Sequence, residues 1–256
     1  MSYVVPAYLP AYVLIGSVAA ITAVLVAVHR GLKGAAWPDR ERRKATWSIA
    51  TVLIVWFVAE LIPAWLGFFQ GATPRIPMIQ FGMLIPPVLV AVLFWRWPLL
   101  RRVIEAIPQK WIIGVQFYRV EGLIFLVLYA AGKLPGVFAL PAGIGDIITG
   151  LFALTVGAAY ARNPQASVGR VRAWNLFGIA DLVVALTTGF LTSPSPLQML
   201  SLDKPNELVT AFPLVMIPVY LVPIAILLHV ASLKKLRQAT TTKAVHPLDG
   251  LAILPE

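Results

Sequence analysis

The stretch from Trp111 to Lys133 carries three polar side chains, Gln116, Arg119 and Glu121, inside a run otherwise apolar enough to cross a bilayer. An arginine at the centre of a membrane helix costs about 2.5 to 3.5 kcal/mol on insertion scales, so the chain needs a reason to keep it there. Glu121 is a poor partner for Arg119, because two residues along a helix turn the side chains about 200° apart. We therefore expect the partner of Arg119 to come from another helix.

Further acids occur in other apolar stretches of the chain. At about 1.5 Å per residue from the inner membrane boundary, Arg119 and Asp181 lie about 11 to 12 Å deep. Glu121, Asp146 and Glu60 lie about 15, 18 and 20 Å deep. Four acids and one base leave surplus negative charge in hydrocarbon, which protons, a bound cation or water must neutralise. The candidate ion- or substrate-binding residues are Glu60, Gln116, Arg119, Glu121, Asp146 and Asp181.

The similar depth of Arg119 and Asp181 predicts that these two side chains form an ion pair. Asp146 and the lipid headgroups at the inner surface are the alternative partners. The guanidinium could also reach toward the inner surface, because helical side chains lean toward the helix N-terminus. Each acid taken singly could be a protonated hydrogen-bonding group that only joins two helices.

A short motif occurs twice, as Gly143–Asp146 (GIGD) and as Gly178–Asp181 (GIAD), with Gly150 and Ala185 four residues beyond each acid. These small residues share a helix face with the aspartate, which allows a neighbouring helix to approach closely. We expect both aspartates to face protein. The two spans run in opposite directions, so the motif could be the trace of an inverted repeat or a coincidence of four residues.

The Gly143–Asp146 segment also resembles the G-x-G-D signature of intramembrane aspartyl proteases. In that family two membrane-embedded aspartates share a proton and activate water for peptide hydrolysis. The resemblance covers four residues, and the chain offers Tyr118 and Arg119 where the family has a Tyr-Asp motif. Asp181 would then be the second aspartate. Pro141 precedes the motif, whereas the family has a Pro-Ala-Leu element later in the chain.

The composition is that of a membrane protein. Hydrophobic residues make up 59% of the 256 residues and charged residues only 12%, about half the charged fraction of a soluble domain. The absence of cysteine excludes disulfides, thiolate nucleophiles and thiolate metal sites. The net charge of +10 is interpreted as the charge bias of membrane loops and not as nucleic-acid binding.

Other chemistries lack their signatures in this sequence. It contains no G-x-S-x-G, no phosphate-binding glycine loop and no H-E-x-x-H pair. His29 and His229 lie at predicted inner helix ends, where we expect contacts with headgroups, and His246 lies in the tail. The last span contains no lysine, which excludes a retinal Schiff base there. We predict no cofactor, no metal site and no enzymatic activity, although the aspartates keep a hydrolase as an alternative.

Hydropathy predicts seven membrane spans, because each apolar run is about long enough to cross the bilayer. Proline residues interrupt several of them, including the Pro86–Pro87 pair in the third. Between Pro98 and Pro108, apolar and charged residues alternate at helical spacing, which predicts a short helix on the membrane surface. The predicted spans are residues 9–28, 46–69, 76–95, 111–131, 138–160, 173–191 and 211–230.

The basic residues define an orientation. Seventeen of the 21 Lys and Arg fall in the segments on one side of the spans, three on the other side and one, Arg119, within a span. The positive-inside rule places the basic side in the cytoplasm. We therefore predict the N-terminus outside and the C-terminus inside.

These observations predict an all-α, polytopic integral membrane protein built as a seven-helix transmembrane bundle. The transmembrane domain covers residues 1–238, and residues 239–256 form a disordered cytoplasmic tail. The expected location is the cell membrane of a bacterium, with lipid and anionic inner headgroups as partners. The favoured function is binding or translocation of a proton, cation or small polar solute. The alternatives are a non-catalytic membrane subunit that docks a partner and an intramembrane aspartyl hydrolase that uses Asp146 and Asp181.

Overall fold

A computed structural model describes residues 4–70 and 78–244, and every regular element in that part of the chain is a helix. Five α-helices precede the polar residues Gln116, Arg119 and Glu121, and four follow them. The α-helices are α1 (Leu9–Gly34), α2 (Asp39–Trp65), α3 (Ile79–Arg96), α4 (Pro98–Ala106), α5 (Gln109–Val115), α6 (Leu123–Ala130), α7 (Gly136–Arg162), α8 (Pro164–Thr192) and α9 (Val222–Ala244).

Six helical segments of the described chain are long and apolar enough to cross a membrane. They coincide with six of the seven predicted spans. The segments are Leu9–Gly34, Asp39–Trp65, Gln109–Ala130, Gly136–Arg162, Pro164–Thr192 and Ile217–Gln238.

The predicted third span falls on α3, which is helical through both Pro86 and Pro87. Its apolar part, Ile79–Val90, is shorter than the other six segments. The predicted start of this span at Ile76 lies outside the described residues. The described residues thus contain six helices long and apolar enough to cross a membrane, and a seventh crossing stays a prediction.

The helix predicted between Pro98 and Pro108 is confirmed as α4. Pro98 occupies its first turn, where the missing N–H costs nothing, and Pro108 follows its end, because a proline disfavours helical backbone in the residue before it. Val103 is buried, while the guanidinium of Arg102 lies 5.1 Å from the Trp37 ring centre. The Lys235 ammonium donates a hydrogen bond to the backbone carbonyl of Glu105, a favourable position for a cation near a helix C-terminus.

Two predicted span ends are corrected by longer helices. Arg170 and Arg172, which fall in the loop predicted between spans 138–160 and 173–191, lie inside α8, which begins at Pro164. Helix α9 continues to Ala244, so His229 lies within the helix and not in its last turn. Both helices extend past the expected membrane boundary. Basic residues mark where the chain enters the polar environment, but Lys and Arg are good helix formers and do not end a helix. The predicted disordered tail from residue 245 onward lies outside the described residues.

The core of the molecule forms where the last spans meet the first two. Tyr220 is fully buried and donates its hydroxyl to the Leu53 carbonyl at 3.0 Å. Its ring packs edge-on against Trp56 and Phe57 of α2, at centroid distances of 5.1 and 5.2 Å. Tyr220 belongs to a π-helical turn, Ile217–Leu221, which leads into α9. This packing fixes the start of α9 against α2.

The glycine-rich face of α7 packs closely on the central span, as the sequence predicts. A Cβ added at Gly150 would lie 2.8 Å from the Val120 backbone nitrogen and 3.2 Å from the Phe117 carbonyl oxygen. These are backbone atoms, which cannot yield as a flexible side chain would. Close approach of α7 to the central span therefore requires glycine at position 150.

Gly150→Leu is expected to lower the free energy of unfolding by about 1 to 3 kcal/mol, because the added side chain forces the two helices apart. Gly114→Leu is the matched control, since Gly114 is also helical and has no atom within 4 Å of an added Cβ. Gly132 is a poor control, because its φ of +68° would strain any other residue. Thermal unfolding in detergent compares the two variants, and equal melting temperatures would contradict the close packing at Gly150.

Candidate functional site

The central span is not one regular α-helix. Between α5 and α6 lies a 3-10 helical segment, Gln116–Gly122, which contains all three polar residues of this span. A 3-10 helix has three residues per turn, so side chains three apart align on one face. Gln116, Arg119 and Gly122 share this face, and all three are buried. Long 3-10 runs are uncommon, and a stretch within a helix often marks a functional hinge.

Arg119 lies at the centre of the polar site, with only 2% of its side chain exposed. Its Nε donates to Asp146 Oδ1 at 2.7 Å, and its Nη2 donates to Asp181 Oδ2. Its Nη1 donates to the Gly178 carbonyl at 3.3 Å and contacts His229 Nε2 at 3.1 Å. The predicted ion pair between Arg119 and Asp181 is confirmed, and Asp146 is a second partner of the same guanidinium.

The contact with Arg119 determines the state of His229. The guanidinium can only donate, so His229 Nε2 must accept and carries no proton. The ring proton is therefore on Nδ1, which donates to Asn175 Oδ1 at 2.9 Å. We call the residues Arg119, Asp146, Asp181 and His229 the Arg119 cluster.

A chain of hydrogen bonds continues from His229 to the end of the molecule where α5 begins. Asn175 Nδ2 donates to Ser232 Oγ at 2.9 Å, and Gln109 Nε2 donates to the same oxygen at 2.7 Å. The relative exposure of Asn175, Ser232, Gln109 and His229 is 4% or less. The chain thus joins the Arg119 cluster to the first turn of α5 through buried side chains.

Three glycines make room for polar side chains of the cluster. A Cβ added at Gly122, Gly145 or Gly178 would overlap the side chain that faces it, so each of these positions requires glycine. The aspartates face protein, as the small-residue motif predicts. The contacts are Gly122 with Asp146, Gly145 with Asp181, and Gly178 with His229.

Glu121 points away from Arg119, as predicted, and its carboxyl group lies against Gly16 of α1. Both of its carboxyl oxygens are buried and make no hydrogen bond in the described part of the chain. A buried carboxylate without a partner is costly, so this group needs a proton, a cation or water. The hydroxyl of Tyr12 is nearby, but it donates its hydrogen bond to the backbone carbonyl of Glu121 at 2.9 Å and not to the carboxyl group.

The other two candidate residues lie apart from the cluster. Glu60 is buried on α2, where its carboxyl lies against Gly82 of α3, and it takes no part in the recorded contacts of Arg119. Gln116 shares the buried face of the 3-10 segment, but its Nε2 donates to the Ala225 carbonyl of α9 at 2.9 Å. The structure therefore brings together only Arg119, Asp146 and Asp181 of the predicted set, with Glu121 on the adjacent turn.

Two cavities meet at Asp146. The larger, of about 60 Å³, extends between α3, α7 and α8 and is bordered by Gln80 and Ser193. The smaller, of about 20 Å³, is bordered by Arg119, Glu121 and Asp146, with enough room for about one water molecule. Asp146 borders both cavities, together with the apolar residues Leu182, Ile217 and Val222.

His229 and Asn175 are the site residues that sequence analysis missed. A lone histidine carries no spacing signal, and the basic residues that follow it predicted a helix end at the headgroups. The expected headgroup contact of His229 is wrong, because its side chain is fully buried. Asn175 gave one usable signal, since a buried asparagine in an apolar span needs a hydrogen-bonding partner.

The fold and the site define an α-helical membrane protein with a buried network of one arginine, two aspartates and one neutral histidine. The chain matches the family described as "Domain of unknown function (DUF8737)" over residues 76–237, more than half of its length, and belongs to that family. The match contains the whole Arg119 cluster and the hydrogen-bond chain to Gln109, but not Gly16 or Glu60. No curated protein and no solved structure matches the chain.

Proposed function

We propose that this protein binds or translocates a small ion or small polar solute at the Arg119 cluster. The observation that carries the proposal is the charge balance, because one guanidinium is bonded to two carboxylates while the carboxyl oxygens of Glu121 have no hydrogen-bond partner among the described residues. With both aspartates ionised, Arg119, Asp146 and Asp181 together have a charge of −1. A low-dielectric site does not keep surplus negative charge without a proton, a cation or water.

The charge balance disfavours a purely structural role. A subunit whose polar residues only fix helix packing is expected to bury its charges in matched pairs, and here acids outnumber bases. The cavities beside Asp146 leave space for water or a small ion next to the site. A partner-docking subunit without transport remains the alternative outcome of the flux experiment below.

The hydrolase alternative gains no support from the geometry. An aspartyl hydrolase needs two carboxyl groups that share a proton, which requires them to be within hydrogen-bonding reach. Asp146 and Asp181 instead bind different nitrogens of one guanidinium, so the hydrogen-bonding partner of each carboxyl group is Arg119 and not the other carboxyl group. We therefore do not propose peptide hydrolysis.

For the topology we propose seven crossings within residues 1–238, with the N-terminus outside, the C-terminus inside and residues 239–256 as a cytoplasmic tail. The support is the distribution of Lys and Arg, seventeen on one side and three on the other. The proposed location is the cell membrane, in a bacterium the inner membrane.

The orientation predicts that Asp203→Cys reacts with a membrane-impermeant thiol reagent in intact cells. Asp203 is exposed in the connection between α8 and α9, on the proposed outer side. Gln165→Cys, exposed near the start of α8, is the control and should react only after the cells are opened. The natural chain has no cysteine, so all labelling comes from the introduced residue. The reverse pattern would overturn the orientation.

Asp146→Asn is expected to lower ion or solute flux in reconstituted liposomes by about tenfold or more, a free-energy difference of about 1.4 kcal/mol. The reason is that an amide cannot supply the negative charge that Asp146 gives to the site. Asp203→Asn removes an exposed acid and should leave flux unchanged. If the wild-type protein moves no ion or small solute, the transport proposal fails and the subunit alternative replaces it.

A further inference from the structure

We infer that the ion handled at the Arg119 cluster is a proton, exchanged on Asp146 from the end of the molecule that contains Ser193. The inference rests on the proposed function, and it names both the ion and the side of access. Three features of the described residues support it: the size of the cavities, the ligands around Asp146, and the chemistry of the hydrogen-bond chain toward Gln109.

The cavities limit the size of the solute. The space bordered by Arg119, Glu121 and Asp146 is about 20 Å³, and the neighbouring space that also borders Asp146 is about 60 Å³. A cavity of about 10 to 15 Å³ holds one water. An organic solute does not fit beside Asp146, whereas a water molecule that delivers a proton does.

The ligands around Asp146 do not suit a metal cation. Hard cations such as Ca²⁺ take six to eight oxygen ligands, and the described residues contain no group of three or more His, Cys, Asp or Glu arranged to hold a metal ion. The guanidinium of Arg119 already holds Oδ1 of Asp146 and would repel a second cation. The charged and titratable side chains around the two cavities at Asp146 are Arg119, Glu121, Tyr118 and Asp146, with Asp181 and His229 bonded to the guanidinium.

A proton needs only one lone pair. Oδ2 of Asp146 lies against Gly122, which also borders the smaller cavity. In the proposed step a hydronium O–H bond breaks, an O–H bond forms on Asp146, and a neutral water is left. The summed charge of Arg119, Asp146 and Asp181 rises from −1 to zero, so hydrocarbon tolerates the protonated state.

The larger cavity extends from Asp146 toward one end of the molecule. The larger cavity reaches Ser193, twelve residues beyond Asp181 on α8, about 18 Å along a helix. Toward Gln109 the polar chain passes through the amide of Asn175 and ends at the amide of Gln109. An amide nitrogen donates hydrogen bonds and accepts none, so these links do not relay a proton. The chain holds His229 and Arg119 in place and provides no proton relay toward that end.

The ion is identified with the full-length protein in liposomes that contain a pH-sensitive dye. We expect flux in a pH gradient at equal Na⁺ and K⁺, and none in Na⁺ or K⁺ gradients at equal pH. Flux driven by Na⁺ or K⁺ would overturn the proton assignment and leave the proposed function intact. Absence of flux under every gradient would overturn both.

Two variants separate the role of the carboxyl group from a folding defect. Asp146→Asn should lower proton flux about tenfold or more, while Asp146→Glu, which keeps a carboxyl group, should retain more flux than Asp146→Asn. Infrared difference spectra on acidification should show a protonated-carboxyl band in the wild type that is lost in Asp146→Asn and kept in Asp203→Asn. An unchanged band in folded Asp146→Asn would overturn the assignment of the proton to Asp146.

The route is tested with Gln80→Cys, because Gln80 borders the larger cavity. A bulky thiol reagent should lower proton flux in this variant and leave the cysteine-free parent unchanged. Full labelling, verified by mass, with unchanged flux would overturn access through this cavity.

Discussion

Arg119→Met is expected to lower the free energy of unfolding by about 3 to 5 kcal/mol, the cost of removing one partner from a buried charge network. Without the guanidinium, Asp146 and Asp181 lose their cation, and His229 Nε2 loses its donor. The loss for Asp181→Asn should be smaller, because Arg119 keeps Asp146. Unfolding of the purified protein in detergent measures both effects. Arg170→Met is the control, and its exposed side chain should change the stability by no more than about 0.5 kcal/mol.

Double variants test whether the contacts act as one network. Arg119→Met with Asp181→Asn should lose less stability than the sum of the single losses, with an interaction energy of about 0.5 to 3 kcal/mol. Adding Asp146→Asn should recover more, since Asp146 is the second carboxylate on the same guanidinium. Strictly additive losses would show that these residues are not coupled.

His229→Leu is expected to destabilise the protein by about 2 to 6 kcal/mol, the sum of two buried groups that lose their partners at about 1 to 3 kcal/mol each. The two groups are Arg119 Nη1 and Asn175 Oδ1. The matched control is His29→Leu, because His29 lies partly exposed near the end of α1. The same unfolding experiment compares the two variants.

The size of the His229→Leu effect also tests the assigned tautomer. If His229 only filled space against Trp174, whose ring centre is 5.0 Å away, leucine would cost little. His229→Gln should be milder than His229→Leu, because a glutamine carbonyl can still accept from Arg119. Equal losses for leucine and glutamine would contradict the hydrogen bond from Arg119 to His229.

The apolar spans were predictable because hydropathy is summed over the whole length of each span, about 20 residues. Six predicted spans coincide with apolar helices, and α4 follows from the amphipathic pattern between two prolines. The pair of Arg119 and Asp181 was predictable from depth, because both lie at a similar height in spans that run in the same direction. Depth is uncertain by about one turn, which is why Asp146, estimated deeper, was only an alternative partner.

The rest of the site depends on geometry that sequence patterns do not encode. Nothing in the composition of Gln116–Gly122 distinguishes a 3-10 helix from an α-helix, since both tolerate the same residues. The contact of Glu121 with Gly16 depends on how α1 crosses the central span, and hydropathy does not specify a crossing. The burial of His229 follows from the length of α9, whose basic end continues the helix.

The contacts of Arg119 also restrain the geometry of the 3-10 segment. A 3-10 helix rises about 2.0 Å and turns 120° per residue, against about 1.5 Å and 100° for an α-helix. Conversion of the seven residues Gln116–Gly122 to α-helix would shorten the span by about 3.5 Å and rotate α6 against α5 by about 140°. Such a screw motion would carry Arg119 away from Asp146, Asp181 and His229 together. Neutralising one aspartate removes part of that restraint, so occupancy of the site and the pitch of the central helix are mechanically linked.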